Sequence, residues 1–296
     1  MLDRITAQRA GWLAAGALAC WMGASQAQQS PAAEAPAATA SLKPAGAHPE
    51  TPENDALLAR TAKLYYSTAR DGVRGFACSI HPDWYAVFVA ANPNSTIARD
   101  DHRVVLLNGV RIILHARMDG SATLDWQPAA DPDGAPSQDD TALLDKMHQA
   151  TEQTIGGFVQ FWSQFVSGAV IPPNSDGIEV TPAGDGYRLH SKASGTEVTE
   201  RFSSSLLLET YDIEMQDASV RLSPSYEATP GGWLVENFDA TLRQGAPGGP
   251  SQQMHVRVQY QPVEAIPLPS RVEMVVAGAG TFNFDLDGCM VEKQAK

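Results

Sequence analysis

From Gly177 onward the chain alternates apolar and polar residues, and this constrains the fold more than any other feature of the sequence. Met254, Val256, Val258 and Tyr260 fall on one side of an extended chain while His255, Arg257 and Gln259 fall on the other. Phe282, Phe284 and Leu286 oppose Asn283, Asp285 and Asp287 in the same way. Strand side chains point alternately to the two faces of a sheet, so such segments require one buried and one wet face. Segments 187–192, 197–202, 206–215, 219–229, 233–242, 254–260, 270–277 and 281–289 are separated by Gly, Pro, Asp and Ser clusters at hairpin-like intervals. That pattern predicts an antiparallel meander curled around a core or a cavity, interrupted by a Gly/Pro loop over 244–253.

Two helices are expected ahead of the meander. Asn54 or Asp55 is placed to cap the first, which runs to about Arg70 with Leu57, Leu58, Leu64 and Tyr65 at helical spacing and Gly72 beyond its end. The second has Asp139 or Asp140 as its cap and Gly168 as its stop. Leu144, Met147, Thr151, Ile155, Phe158, Trp162 and Phe165 step by three or four along one of its faces. Between the helices, 76–80 begins a β region, 104–107 and 110–118 flank the hairpin-favouring dipeptide Asn108-Gly109, and Asp119-Gly120 turns the chain into 122–126. A Pro/Gly/Asp stretch over 127–138 ends this block.

The first 27 residues read as a cleaved secretory signal: Arg4 and Arg9, a short apolar run from Gly11, and small residues at Ser25 and Ala27 before the cut. Ala17-Leu18-Ala19-Cys20 offers a lipid anchor at Cys20 as the alternative. Residues 28–53 are rich in proline and alanine with Leu42 their one large aliphatic, which predicts a disordered linker, and 54–296 then forms a single α+β domain. The mature protein is expected in the periplasm or secreted, as a monomer. The whole chain carries a formal net charge of −13 and has no Lys/Arg cluster, which argues against nucleic acid and anionic lipid surfaces as partners. No later segment is apolar long enough to span a membrane.

Of the 3 cysteines, Cys20 leaves with the signal, and in an exported protein the remaining Cys78 and Cys289 are expected to form a disulfide tying the first strand to the last. Cys289 is out of phase with Phe282, Phe284 and Leu286, so Gly288 is expected to form a bulge that turns it toward Cys78. Cys78-Ser79-Ile80-His81 also has the spacing of half a zinc site, but no second half accompanies it, and no metal or other cofactor is expected. His81-Pro82-Asp83-Trp84 reads as a turn closing the strand. No nucleophile elbow, zinc-protease, phosphate-loop or dinucleotide motif occurs, Asp285-x-Asp287-Gly288 departs from a calcium loop, and Asp131, Asp133, Asp139 and Asp140 read as solvated or capping carboxylates. No catalytic residue is expected, and a hydrolase would need His81, Asp83 and His190 to converge.

The segments Gly186-Tyr187-Arg188-Leu189-His190 to Phe202, Leu206 to Met215, and Ile266-Pro267-Leu268-Pro269 resemble paired strands, and the link to terminal strands, of the periplasmic lipoprotein-carrier (LolA/LolB-like) fold. The resemblance spans roughly 54–292 as topology. It implies a half-barrel, a curved antiparallel sheet covered by two main helices, that holds acyl chains by apolar walls. Phe158, Phe161, Trp162 and Phe165 are then expected to line a cavity for a lipid or other hydrophobic small molecule, in a protein that is not an enzyme. The alternative is that the same residues are the core face of a helix on a sheet, in an envelope-interaction module with a filled interior.

Overall fold

The computed structural model describes residues 52–91, 96–128, 137–193, 195–245 and 250–294. The expected signal peptide, Cys20, the linker up to residue 51, and Asp131 and Asp133 lie outside the described residues. Four helices are present among those described: α1 (Pro52–Ala62), α2 (Trp84–Ala91), α3 (His102–Asn108) and α4 (Gln138–Ser167). The strands are β1 (Val73–Pro82), β2 (Arg111–Arg117), β3 (Ala122–Gln127), β4 (Glu179–Ala183), β5 (Gly186–Ala193), β6 (Thr196–Phe202), β7 (Leu208–Met215), β8 (Ala218–Thr229), β9 (Gly232–Gln244), β10 (Ser251–Val263), β11 (Ile266–Val276) and β12 (Gly280–Lys293).

They form one 12-stranded antiparallel sheet in the order β3-β2-β1-β12-β11-β10-β9-β8-β7-β6-β5-β4. The chain runs outward to one edge through β1–β3, crosses the sheet, and returns from the opposite edge strand by strand until β12 pairs with β1. The element that crosses is α4, 30 residues and therefore about 45 Å long. Its ring contacts trace the path: His148 stacks on Trp126 of β3, Phe158 meets Phe284 of β12, Trp162 meets Phe76 of β1, and Phe165 stacks on Phe238 of β9.

This architecture corrects the expected fold class. It is not a half-barrel covered by two main helices: one long helix does the covering, and the other expected helix stops at Ala62. Beyond Ala62 the backbone is claimed by the sheet, because Trp233 N–H donates to the Leu64 carbonyl at 2.7 Å and Tyr66 N–H to the Trp233 carbonyl at 2.9 Å. Gly232 makes that approach possible, since a Cβ there would sit 2.7 Å from the Leu64 oxygen.

The Asn108-Gly109 hairpin is also absent. Val104–Leu107 lies inside α3, which Asp101 caps by accepting the Arg103 N–H, and Gly109 takes φ −77°, a helix-ending conformation unlike the positive φ that a two-residue hairpin turn requires. After Pro82 the chain does not simply turn: Asp83 accepts the Ala86 N–H and starts α2, whose Trp84 is buried. Its sequence WYAVFVAA is apolar on all sides and rich in strand-forming residues, so no helical period announces it. In α4 the cap is Ser137, whose hydroxyl accepts the Asp140 N–H, while Asp139 and Asp140 occupy the first turn. Gly168, at φ 77°, ends the helix as expected. Residues 266–269 are not a link but the start of β11, where Pro267 and Pro269 pair only with β10, and β12 joins from Arg271 onward.

Cys78 and Cys289 form the disulfide, 211 positions apart, between neighbouring strands β1 and β12. Ala77 pairs with Met290 and Ser79 with Asp287, so Cys78 alone faces two residues, Gly288 and Cys289, and Gly288 has φ 57°. This is the bulge the strand phase demands. The bond consumes both thiols and removes the zinc half-site.

Candidate functional site

Phe158, Phe161, Trp162 and Phe165 fall in the last three turns of α4, and none is more than 5% exposed. Their positions follow from the helical period, which puts them on the side facing the sheet. Phe158 stacks on Trp162 with centroids 6.2 Å apart and meets Phe284 edge-on at 5.8 Å. Trp162 meets Phe76 edge-on at 5.7 Å and donates its indole N–H to the Tyr260 hydroxyl at 3.1 Å. Phe165 stacks on Phe238 at 6.3 Å. Phe158 and Trp162 are thus committed to packing against the centre of the sheet.

Phe161 and Phe165 also border a recess whose remaining walls are Gln164 of α4, Val170 beyond its end, Tyr211 of β7 and Leu222 of β8. Its free volume is about 10 Å³, room for about one water. The turn after α4 forms its rim: Val170 N–H donates to the Gln164 carbonyl at 3.2 Å and Ile171 N–H to the Gly168 carbonyl at 3.3 Å. The helix end is held by the α1–β1 connection, where the Ser67 hydroxyl donates to the Ser167 carbonyl at 2.9 Å, and the Thr68 N–H and hydroxyl donate to the Val166 carbonyl at 2.8 and 3.1 Å.

Beside the recess lies a polar group that the sequence reading passed over. Glu200 of β6 is 6% exposed and stands in register with Tyr211 on one side and Leu189 on the other. The tyrosines around it are anchored. Tyr65 donates to the Leu206 carbonyl at 3.1 Å and accepts the Leu208 N–H at 2.6 Å, and it meets Tyr226 edge-on at 5.3 Å. Tyr187 stacks on Phe202 at 4.6 Å, and its hydroxyl lies 2.8 Å from that of Thr61 in α1. Burial raises the Tyr187 phenol to about 12 and those of Tyr65 and Tyr226 well above 10, and the Glu200 charge adds to the rise at all three. A signal for Glu200 was present: it shares the apolar row of its strand with Val198 and Phe202.

The other sequence candidates do not converge. His81 sits 3.2 Å from Asp287 on the exposed face, Asp83 caps α2, and His190 of β5 lies 3.2 Å from the Thr199 hydroxyl of β6, a pair of strands separated from β1 by β7 to β12. Among the described residues no three His, Cys, Asp or Glu side chains gather as metal ligands, and no helix is long and apolar enough to cross a membrane. Comparison with protein-family models, curated proteins and solved structures finds no match, so the likeness to lipoprotein carriers rests on the order of sequence segments alone.

Proposed function

We propose that the protein is an exported, non-enzymatic carrier or binding protein for a hydrophobic ligand, such as a lipid or acyl chain, admitted where the last turn of α4 meets β7 and β8. The supporting observation is the apolar recess between Phe161, Phe165, Val170, Tyr211 and Leu222, where the end of α4 meets the sheet. A ligand-sized pocket needs several hundred Å³, so uptake requires the Gly168–Ile171 turn and the end of α4 to lift. That movement breaks the contacts to Ser67 and Thr68 but no rung of the sheet. Apolar burial drives it, at about 25 cal/mol per Å² before ordering costs. Export is supported by the character of residues 1–27 and by a disulfide, a bond that persists in oxidising compartments.

The test is uptake of Nile red by the purified protein, with Val170→Phe as the variant that fills the recess. Fluorescence enhancement that the variant abolishes, at unchanged circular dichroism, is the expected result. A well-folded protein that takes up no dye overturns the reading.

The second reading is an envelope-interaction module with a filled interior. It is favoured by the closure of Phe158, Phe161, Trp162 and Phe165, none of which leaves open a channel of ligand size. It predicts no uptake by either protein.

A further inference from the structure

We propose that the free edge of β3 is where a second copy of this chain docks, antiparallel about a two-fold axis at Leu124, so that the two sheets become one. The inference goes beyond the carrier reading and does not depend on it, because β3 lies at the end of the sheet away from β7 and β8. It departs from the monomer expected of the sequence.

Among the described residues the sheet ends in β3 and β4, and no strand pairs with the outer side of either. An unpaired edge is a template for another chain, and proline, lysine or a bulge are common defences. β4 carries Pro182, exposed and without an N–H. β3, with the sequence ATLDWQ, has none of these, and its pairing with β2 runs without a register shift. The ladder tells which of its backbone groups are free. Arg117 N–H donates to the carbonyl of Ser121 at 2.8 Å, so by alternation Thr123, Asp125 and Gln127 turn their backbone groups to β2. Ala122, Leu124 and Trp126 turn theirs to the open side. The side chains of those three are only half-buried, whereas Ala116, Leu114 and Ile112 opposite them on β2 are at most 3% exposed. Backbone and apolar row therefore lack cover at the same residues.

The sequence of the strand itself indicates the occupant. A two-fold axis at Leu124 sets Leu124 against Leu124, Ala122 against Trp126 and Thr123 against Asp125, with about six N–H···O bonds between the copies. Small meets large on the buried face. On the wet face each Asp125 carboxylate, 3.2 Å from His115, meets a hydroxyl. An axis at Asp125 would instead set the two carboxylates opposite each other, and one at Thr123 would set Trp126 against the turn residue Gly120. Each copy is acidic overall, so salt is expected to strengthen the contact by screening.

The experiment is sedimentation velocity on the full-length mature protein at concentrations up to about 100 μM, where an edge-to-edge contact of modest area is expected to double the mass. Thr123 is exposed, so substitutions there test the register without disturbing the fold. Thr123→Asp, which sets a carboxylate against each Asp125, is expected to raise the dimer Kd about fivefold, and Thr123→Lys to lower it about fivefold. Gln253→Lys makes the same charge change at an exposed position of β10, inside the sheet, and is expected to leave Kd within about twofold. Leu124→Pro removes an outward N–H but no rung to β2, and is expected to abolish the dimer. A protein that stays monomeric overturns the inference, and so does a dimer on which the two Thr123 variants act alike. The Thr123 pair decides the matter even if Leu124→Pro does not fold.

Discussion

The indole N–H of Trp162 donates to the hydroxyl of Tyr260 at 3.1 Å, and that hydroxyl donates onward to the Val235 carbonyl, so one phenol joins α4 to β10 and β9. The Trp162 ring is fully buried and that of Tyr260 half-buried, and desolvation of its hydroxyl holds the Tyr260 phenol far above its ordinary value of 10. Tyr260→Phe leaves a buried indole donor and a carbonyl without their partner and is expected to cost about 1–3 kcal/mol in chemical denaturation. Trp162→Phe is expected to cost a similar amount, and the double variant less than the sum, because each change removes the same bond. Trp162→Glu instead places a charge at a position that is 0% exposed and is expected to prevent folding, which makes it useless as a probe of ligand uptake.

The Cys78–Cys289 bond spans 211 positions, and closing so long a loop in the unfolded chain is worth at most about 5 kcal/mol. Mass measurement after alkylation is expected to show neither thiol modified without reductant and both modified after unfolding in its presence. Cys78→Ser with Cys289→Ser should lower the denaturation midpoint strongly; an unchanged midpoint would contradict the loop-closure argument.

Two glycines separate conformational strain from steric exclusion. At Gly288, φ is 57° and an added Cβ would meet nothing closer than the Ser79 hydroxyl at 3.8 Å, so Gly288→Ala should cost only the left-handed penalty of about 1–2 kcal/mol. At Gly232 the added Cβ would lie 2.7 Å from main-chain atoms of Leu64 and Tyr65, and Gly232→Ala is expected to cost about 3 kcal/mol or more. Thermal unfolding of the two variants side by side checks the order.

Acid should loosen the covering elements first. The Ser175 hydroxyl and N–H donate to Asp55 and hold its carboxyl below 3.8; Arg103 draws Asp101 down to about 2; His102 and Ser137 lower Asp140. A carboxylate whose folded-state value is depressed stabilises the fold above its unfolded value and loses that contribution as pH falls through the folded one. The helices these groups cap or tether, α1, α3 and α4, are therefore expected to weaken as pH drops from about 4 toward about 2. Asp55→Asn should lower the melting temperature near neutral pH, with the gap to wild type closing in that acid range. A gap independent of pH would exclude the linkage.

Much of the sheet was legible in the sequence because its rows are one-sided. Met254, Val256 and Val258, or Phe282, Phe284 and Leu286, face inward without exception, and strands built on them form where the alternation places them. The long helix was legible through its apolar stripe, and the Gly288 bulge through a break in phase. What could not be read is decided by distant partners. Residues 63–66 keep a helical period, yet their backbone belongs to Trp233, far along the chain. Val104–Leu107 has a strand-like composition, yet the Asp101 cap makes it a helix. The four aromatic residues of α4 were identified, but division of the set into packing residues and recess walls depends on Tyr211 and Leu222, which only the fold brings near.

The placement of β1 beside β12 also sets the order of assembly. Until β12 has formed, β1 has a neighbour on one side only, and no strand of the meander from β4 to β11 pairs with β1, β2 or β3. Bringing such remote partners together costs about 5 kcal/mol of loop entropy before any contact is made. Folding is therefore expected to be slow and to wait on the arrival of the final strand, so the chain stays open and threadable until its last residues are in place.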